Sequence, residues 1–481
     1  MKIMQKLLLF LLATFTTFSA SAQEVITSEQ QGTTLASVLN IVLPVRVEYD
    51  VANYKITYST IDALGQPDTA SGLLCIPLIG DVEVPMAVYN HGTVGERNAV
   101  PSNPTTGERL LSHAIAATGY ITVAPDYIGL GDSDGIHPYV HAASEASAGR
   151  DLVIAVRKWL EEENVLFNDQ LFLTGYSQGG HATQALHRDI QTNPGDDGLE
   201  VTAASHLSGP YSISEVMAGT LFSEGLATLP GYIAYTYVSY NSVYGLFDSL
   251  AQAFVPPYLP LVEAFASEEL SLDDFNTQLT QMLMDNNALL ADILQDSVRQ
   301  TLASGDPTAP INIALADNDT YDWAPTAPTL IYYCTQDEQV PFRNAIIADS
   351  VMRANGSTSV VLETGGARTH GGCVVPALVR TLEFWEQYAE RIPLSLGVPV
   401  ARPDVTLAPN PVLKGSELRL SGLGNAALPY HLYDPTGRQV IGGTTTTNGT
   451  LRLPNHVSSG LHVLRIGLEN GTSLVRRVIV K

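Results

Sequence analysis

Cysteine, charge and long apolar runs are all scarce in this chain of 481 residues, and each scarcity excludes a class of protein. Three cysteines cannot form a dense disulfide scaffold, and an odd number leaves at least one thiol unpaired. Charged residues make up 15% of the sequence and apolar residues 45%, so the chain can bury a core and is not a disordered tail. Collagen, coiled-coil and multi-span membrane patterns are not found in the sequence. These exclusions leave an acidic globular enzyme or binding protein.

Basic residues are also few. The sequence has 25 Lys and Arg against 49 Asp and Glu, a formal net charge of −24. A surface of this sign repels phosphate backbones, which argues against nucleic acid as a partner. The length predicts more than one domain, since a domain takes about 150 residues.

The first 22 residues have the composition of a secretory signal peptide. Lys2 and Lys6 precede an apolar stretch over residues 7–18, and Ala20-Ser21-Ala22 supplies the small residues of a cleavage site. The apolar stretch is too short to span a bilayer, and the cleavage site carries no cysteine for a lipid anchor. The pattern predicts cleavage before Gln23 and export of the mature protein.

Residues 401–481 differ from the body in charge. They hold nine basic and four acidic residues, a net charge of +5 in a chain whose total is −24. Short strand-like runs separated by Gly, Asn and Pro turns predict a small β-sandwich. A carbohydrate-binding or adhesive module would have the same general pattern.

Three motifs give this tail a resemblance to a known domain. Leu407-Ala-Pro-Asn-Pro411, Asp434-Pro-Thr-Gly-Arg-Gln-Val440 and Ser459-Gly-Leu-His-Val463 follow each other as in type IX secretion sorting domains. Ala408 stands where that family usually carries Tyr. The resemblance implies recognition by secretion machinery, export through the periplasm of a Gram-negative-type bacterium, and a secreted or cell-surface protein.

The body, residues 23–395, alternates between strand-like and helix-like segments. Strands expected at residues 45–58 and 70–76 form an antiparallel pair around a turn at 64–67. Apolar runs then occur at 84–89, 120–124, 170–174, 201–207 and 329–334. Helical patterns occupy residues 107–117, 142–160, 180–190 and 374–391. Continuous apolar strands between helices predict an α/β fold with a mostly parallel, doubly wound sheet.

A nucleophile elbow follows one of these strands. Gly175-Tyr-Ser-Gln-Gly179 is a G-x-S-x-G motif between an apolar strand and a helix. A strained turn that exposes Ser177 crowds the positions two residues before and after it, which explains the glycines. We therefore expect Ser177 to be a catalytic nucleophile rather than part of a structural turn.

A serine nucleophile needs a base and an orienting acid, and this motif predicts the chain order Ser, acid, His. His370, in the Gly-rich segment 365–372, is the base by elimination. The other histidines after Ser177 and before the tail lie on the elbow helix or the next strand: His181, His187 and His206.

Asp337 follows the strand at 329–334 and is our choice of acid. The competing candidates for the acid are Glu338, Asp317, Asp319 and Asp322. The acidic run 317–322 lacks the residue pattern of a calcium-binding loop, so we expect it to form a solvated turn.

Two backbone N–H groups are candidates for an oxyanion hole. One is that of Gln178, which follows the nucleophile at the start of a helix. The other lies in Asn90-His-Gly-Thr93 after an apolar strand, and we assign it to Thr93, with Gly92 as the alternative. His91 is expected to support that loop, because the remaining histidines do not have metal-ligand spacing.

These segments resemble the α/β-hydrolase superfamily. Tyr89-Asn-His-Gly-Thr-Val94, Ala124-Pro-Asp-Tyr-Ile-Gly-Leu-Gly131, Gly175-Tyr-Ser-Gln-Gly-Gly180 and Asp337 are similar to secretory lipases and prolyl-oligopeptidase-like hydrolases. The similarity covers about residues 45–390 and implies a serine hydrolase without metal or organic cofactor. Asp126 and Tyr127 belong to the same pattern, and we expect them to shape the cleft.

Residues 209–328 form an insertion far longer than one crossover requires. A helical cap with Tyr and aliphatic residues beneath it would suit an apolar acyl chain or aromatic ester. Any single Tyr could equally pack the cap's own core.

Cys334 lies near the expected acid and Cys373 near the expected base, so these two cysteines could form a disulfide or remain buried thiols. Cys75 is expected to be buried in its strand.

The sequence thus predicts an exported serine esterase or lipase that forms an acyl-enzyme on Ser177. A peptidase of the same fold and a surface-binding protein without catalytic activity are the alternatives, because a fold does not determine a function.

Overall fold

A computed structural model of the chain describes residues 23–223, 229–393, 405–422, 426–434, 438–468 and 473–481. The signal peptide expected at residues 1–22 lies outside the described residues, and so does the boundary expected between the body and the tail near residue 400.

One mixed sheet runs through the described body. Its strands are β1 (Val25–Thr34), β2 (Val51–Ile61), β3 (Pro67–Pro77), β4 (Val82–Asn90), β5 (Ile121–Pro125), β6 (Phe167–Tyr176), β7 (Val201–Leu207), β8 (Thr329–Tyr333), β9 (Val360–Thr364) and β10 (Ile392–Pro393). Their order is β1-β2-β3-β5-β4-β6-β7-β8-β9, with β10 paired to β4. The pairs from β5-β4 to β8-β9 are parallel, and the strands before them are joined antiparallel.

The helices of the described body cover both faces of this sheet and also form a cap between β7 and β8. They are α1 (Ala36–Val42), α2 (Arg109–Ala116), α3 (Ala142–Glu162), α4 (Gln178–Thr192), α5 (Ala218–Thr220), α6 (Gly231–Tyr244), α7 (Leu259–Ala266), α8 (Leu272–Asp285), α9 (Asp296–Ser304), α10 (Pro310–Asp317), α11 (Arg343–Ala354) and α12 (His370–Trp385). Phe172 of β6 packs with α2 and α12, whereas its neighbours Leu171 and Leu173 pack with α3 and α4. Because successive residues of a strand point to opposite faces, the apolar runs of the central strands supply two cores.

The helices α5–α10 all lie between β7 and β8, and they form the cap expected over residues 209–328. Their apolar side chains form a core of their own around Tyr240, Phe254 and Phe275. Tyr139 and Val140, which precede α3, also belong to this core. The cap is therefore packed directly onto the segment that leads into α3.

The tail forms two antiparallel sheets. Its strands are β11 (Thr406–Ala408), β12 (Glu417–Ser421), β13 (Pro429–Tyr433), β14 (Gln439–Thr444), β15 (Thr450–Arg452), β16 (Gly460–Gly467) and β17 (Ser473–Val480). One sheet has the order β11-β12-β15 and the other β14-β13-β16-β17. Leu418 from the first sheet and Leu432 from the second are buried in one apolar core, as in a sandwich of two sheets.

The α/β fold class is confirmed, and so are the cap and the tail sandwich, but several element boundaries differ from expectation. The strand expected from residue 45 begins at Val51. The helix expected from residue 374 begins at His370, where Thr369 caps it by accepting a hydrogen bond from the N–H of Gly372. β1, β9 and β10 were not predicted. β1 is a polar edge strand without the apolar alternation that marks a strand.

Of the helices in the described ranges, none is long and apolar enough to cross a membrane.

The histidines of the described body are buried. Burial lowers the pKa of His113, His137 and His187 to about 3 and that of His141 to about 4, and it holds the pKa of His206 well below its usual value. These side chains are neutral in the folded protein at pH 5, whereas in the unfolded chain they bind protons below about pH 6.5. The unfolded state therefore takes up more protons as the pH falls.

We expect the free energy of unfolding to fall as the pH is lowered from 7.5 to 5.5. Each histidine with a lowered pKa contributes a slope of up to about 1.4 kcal/mol per pH unit below about pH 6.5. His187→Phe should reduce the slope, because the new ring packs beside Trp323 without titrating. Urea unfolding at several pH values measures this, with exposed His456→Phe as the matched control. Equal slopes in the wild type and His187→Phe would contradict the argument.

Candidate active site

The elbow residue Ser177 has a strained backbone. It lies between β6 and α4 with φ at 61° and ψ at −122°, outside the regions that a residue with a side chain readily adopts. Its N–H donates to the carbonyl oxygen of Leu207 on β7, at 3.0 Å. The turn thus presents Ser177 at the carboxyl ends of the parallel strands, where open α/β sheets place their binding sites.

Three glycines make this turn possible. A Cβ atom on Gly175 would lie 2.2 Å from the carbonyl oxygen of Gly179, and one on Gly179 would lie 1.9 Å from that of Asn90. A Cβ atom on Gly180 would lie 2.5 Å from the carbonyl oxygen of Leu207. All three contacts are with backbone, which cannot move aside as the end of a flexible side chain can. The motif explained Gly175 and Gly179, and the structure adds the reason for Gly180.

His370 and Asp337 are joined directly. His370 Nδ1 lies 2.7 Å from Asp337 Oδ2, and both side chains are buried. The other oxygen of Asp337 accepts hydrogen bonds from the N–H groups of Gln339 and Val340, at 3.1 and 2.8 Å. These bonds fix the plane of the carboxylate, so the histidine is held with Nε2 directed away from the acid.

Further contacts place His370 beside the elbow. The Tyr176 hydroxyl donates to the carbonyl oxygen of His370 at 2.7 Å, and the two rings have centroids 4.9 Å apart. Glu338, the competing candidate for the acid, accepts a hydrogen bond from the His370 N–H at 3.0 Å. Tyr176, the residue that precedes Ser177, therefore contacts the expected base, His370.

Ser177 itself opens into a cavity. Ser177, Gln339 and Val340 line the same space, so the elbow and the loop that follows Asp337 share it. Among the described residues no hydrogen bond joins Ser177 Oγ to the imidazole. In hydrolases this bond is often long and tightens only in the complex with substrate.

The loop after β4 lies against the elbow. A Cβ atom on Gly92 would lie 3.4 Å from the carbonyl oxygen of Tyr176 and 3.9 Å from Ser177 Cβ. The N–H groups of Thr93 and Gln178 donate no hydrogen bond within the described part of the chain. Their assignment to an oxyanion hole beside Ser177 stays a prediction.

His91 has contacts that fit the supporting role expected of it. Its ring nitrogens lie 2.7 Å from the carbonyl oxygen of Gly92 and 3.3 Å from that of Asp126. Tyr127, with φ at 70°, packs its ring on His91 and donates its hydroxyl to the His91 carbonyl oxygen. Asp126 is fully buried and accepts from Ser71, and burial raises its pKa. These residues shape the loop from behind.

The cavity beside Ser177 holds about 640 Å³ of empty space, part of it open to solvent, and its walls are mainly apolar. They come from the segment before α3, from the acid loop and from the cap, which supplies most of them. The cap residues are Ile213, Met217, Ala218, Leu221, Tyr232, Ile233, Thr236, Tyr237 and Leu315. The cap therefore forms an apolar roof over Ser177.

The tyrosines of the cap have separate roles. Tyr232 and Tyr237 line the cavity. Tyr235 stacks on Tyr139 with centroids 4.4 Å apart, and the Tyr240 hydroxyl donates to the carbonyl oxygen of Val140. The sequence alone could not distinguish the tyrosines that line the cavity from those that pack in the cap core, because both roles use an aromatic side chain with one buried face.

A disulfide joins Cys334 to Cys373, and Cys75 is a buried free thiol. Cys334 follows β8 and Cys373 lies in the first turn of α12, so the bond connects the segment bearing Asp337 to the helix that begins with His370. It restrains the two expected partners of Ser177 relative to each other.

The acidic run 317–322 is not the solvated turn that we expected. Asn318 and Thr320 are buried, and Asp319 accepts hydrogen bonds from the N–H and hydroxyl of Ser214. The run lies between cap and body, because the Asn318 side chain accepts from the N–H of Ala142. In the described residues no group of three or more His, Cys, Asp or Glu side chains is arranged to hold a metal ion.

Solved structures of esterases and lipases are similar to this chain. A Legionella pneumophila protein, itself only provisionally assigned as a hydrolase, is 28% identical with a TM-score of 0.69, and the match covers 76% of this chain and 98% of that one. The rice cell wall degrading esterase LipA from Xanthomonas oryzae is 26% identical with a TM-score of 0.64, over 76% and 98% of the two chains. The chain has an α/β-hydrolase-like fold.

More distant matches agree on the fold. Candida antarctica lipase A in its closed state is 16% identical with a TM-score of 0.56, over 79% of this chain and 86% of that one. Among curated sequences, an uncharacterized 31.7 kDa Escherichia coli protein from the traX-finO intergenic region is 28% identical over 111 residues. That match covers 23% of this chain and about a third (35%) of the relative. No family model matches the chain.

Some residues of the site escaped the sequence analysis. Tyr176 is one, although its place next to Ser177 was a signal that could have found it. Glu145 and His137, which contact the Gln178 side chain, carry no motif. Only the packing of α3 and its preceding segment against α4 brings them to the elbow.

We expect removal of the disulfide to weaken both the fold and the site. The disulfide joins residues that are 39 positions apart in the sequence. Because the bond restrains the unfolded chain, its removal should lower the free energy of unfolding by about 4 kcal/mol. Cys334→Ala/Cys373→Ala should therefore melt at a lower temperature than the wild type.

Cys75→Ala is the control, because it removes a thiol and retains the disulfide. A reductant should lower the melting temperature of the wild type and of Cys75→Ala but not that of the double variant. Equal melting temperatures for the wild type and the double variant would contradict a stabilising bond.

Proposed function

We propose that this protein is an exported serine hydrolase that cleaves carboxylic esters through an acyl-enzyme. The observation that carries the proposal is the short His370–Asp337 hydrogen bond beside an elbow whose strained Ser177 opens into an apolar cavity. The likeness to the LipA esterase, over nearly the whole of that chain, supports ester chemistry.

In this mechanism Ser177 Oγ attacks the ester carbonyl while His370 Nε2 accepts its proton. Asp337 accepts a hydrogen bond from His370 Nδ1 and stabilises the imidazolium that forms. The N–H groups of Thr93 and Gln178 donate to the oxyanion, assisted by the positive end of α4. His370 returns the proton to the alcohol, and a water activated by the same histidine releases the acid from Ser177.

The cavity favours substrates with an apolar group. Its walls of Leu, Ile, Met and Tyr side chains stabilise aliphatic or aromatic carbons through burial, at about 25 cal/mol per Å² of apolar area. An enclosed apolar acyl group also keeps bulk water from the acyl-enzyme. We therefore propose esters with an apolar acyl or aromatic group as the substrates.

We expect the mature protein to hydrolyse p-nitrophenyl esters and Ser177→Ala to lose this activity by at least about 1,000-fold, since the nucleophile has no substitute. A series from acetate to palmitate would give the chain-length profile that separates an esterase from a lipase. A fluorophosphonate probe should label the wild type at Ser177 and leave Ser177→Ala unlabelled.

Two other outcomes would replace the proposal. Cleavage of peptide amides without cleavage of esters would favour a peptidase of the same fold. If the probe labels no residue and no substrate is turned over, the result would favour a surface-binding protein that has kept the fold without catalytic activity.

We further propose that the chain is exported. The composition of residues 1–22 supports a signal peptide with cleavage before Gln23, and the motifs of residues 407–463 support a tail that addresses the protein to a type IX secretion system. The product would be secreted or attached to the cell surface.

Expression in a Gram-negative bacterium should yield a periplasmic product whose first tryptic peptide runs from Gln23 to Arg46. Mass spectrometry of that peptide measures the cleavage site, and Ala22→Phe should block cleavage because the position before the cut requires a small residue. A mature chain that retains Met1 would contradict the signal peptide. In a host with type IX machinery, deletion of residues 405–481 should retain the enzyme in the periplasm.

A further inference from the structure

The side chain of Gln178 is held from two sides. Gln178 Nε2 donates to Glu145 Oε1 at 2.9 Å and to His137 Nε2 at 2.8 Å, and all three side chains are buried. A carboxylate only accepts hydrogen bonds, so the amide NH₂ group must be the part of Gln178 that faces Glu145. The catalytic mechanism above uses only the backbone N–H of Gln178 and leaves this arrangement without a role.

The protonation of His137 follows from its contacts. His137 Nδ1 lies 2.7 Å from the carbonyl oxygen of Ile128, which only accepts, so Nδ1 carries the proton and Nε2 is the acceptor for Gln178. Burial lowers the pKa of His137 to about 3, consistent with this neutral form. Each hydrogen of the Gln178 NH₂ group therefore has one acceptor, and rotation of the amide would break both bonds.

Glu145 is itself fixed by a third contact. Its other oxygen, Oε2, lies 2.6 Å from His181 Nδ1, and His181 Nε2 lies 2.9 Å from the carbonyl oxygen of Asn318. The pair shares one proton at Nδ1 or Oε2, and in either position Glu145 Oε1 can still accept from Gln178. Because Glu145 is on α3, His181 on α4 and Asn318 at the end of α10, three elements hold the carboxylate in place.

We propose that Glu145 and His137 are positioning residues for the oxyanion hole. They hold the side chain of Gln178, and so prevent the first peptide of α4 from rotating, which keeps the Gln178 N–H aimed at the oxyanion beside Ser177. Donors in such sites must be held within about 10–20° of the productive direction. This inference rests on the proposed ester hydrolysis and adds the residues that orient one of its two donors.

The deciding variant is Gln178→Met, which keeps the backbone N–H and the approximate volume but loses both hydrogen bonds. We expect kcat to fall by about 10- to 100-fold with KM changed less than twofold, because the oxyanion forms only in the transition state. The inhibition constant of a trifluoromethyl ketone, whose adduct carries an oxyanion, should rise by the same factor as kcat falls.

Gln184→Met is the matched control. Gln184 is another buried glutamine of α4, bonded to His206 and Thr320 and absent from the cavity, so its loss should lower stability while leaving kcat within twofold. Glu145→Gln should retain most of the activity, because an amide can accept from Gln178 and donate to His181 Nδ1. Glu145→Ala should lose most of the activity. If that variant does not fold, the kcat of Gln178→Met is the deciding measurement.

Full kcat in Gln178→Met, or an equal fall in Gln184→Met, would overturn the positioning role while leaving the ester hydrolase intact. A fall in kcat without a matching rise in the inhibition constant would also overturn it. No ester turnover by the wild-type protein would overturn the proposed function, and this inference with it.

Discussion

The close approach of three backbone segments at the elbow is the constraint on which the rest of the site depends. The end of β6, the start of α4 and the loop after β4 meet so tightly that Gly175 and Gly179 have no room for a side chain. This contact places Ser177 at the head of a helix and brings Gly92 next to it. The positive φ at Ser177 is a strain that persists because β6, β7 and α4 hold the turn around it.

The remaining parts of the site come from distant segments that are tied to this turn. The Tyr176 hydroxyl, the N–H groups after Asp337 and the disulfide each restrain Asp337 or His370. The cap adds an apolar roof. It packs on Tyr139, which precedes α3, and the carbonyl oxygen of its own Asn318 contacts His181 of α4. Polar restraint on one side and apolar enclosure on the other are what the proposed acyl transfer would require.

The parts of the fold that were predictable are those with strong local patterns. The apolar runs of β4 to β8 identified the parallel strands, because both faces of such strands are buried. The edge strand β1 and the start of α12 were missed, since an exposed strand has no apolar alternation and the capping Thr369 follows a Gly-rich run. The solvated turn expected at 317–322 was wrong, because burial of Asn318 depends on a cap that no local pattern reveals.

The sequence by itself determined the elbow, the order of its three candidate catalytic residues and the class of fold, because glycine spacing and apolar periodicity are local properties. Tertiary structure decided which tyrosines line the cavity, that Cys334 pairs with Cys373, and that Glu145 and His137 hold Gln178. These depend on contacts between residues far apart in the chain. Packing of the helices and the cap against the sheet creates such contacts, and no spacing along the sequence encodes them.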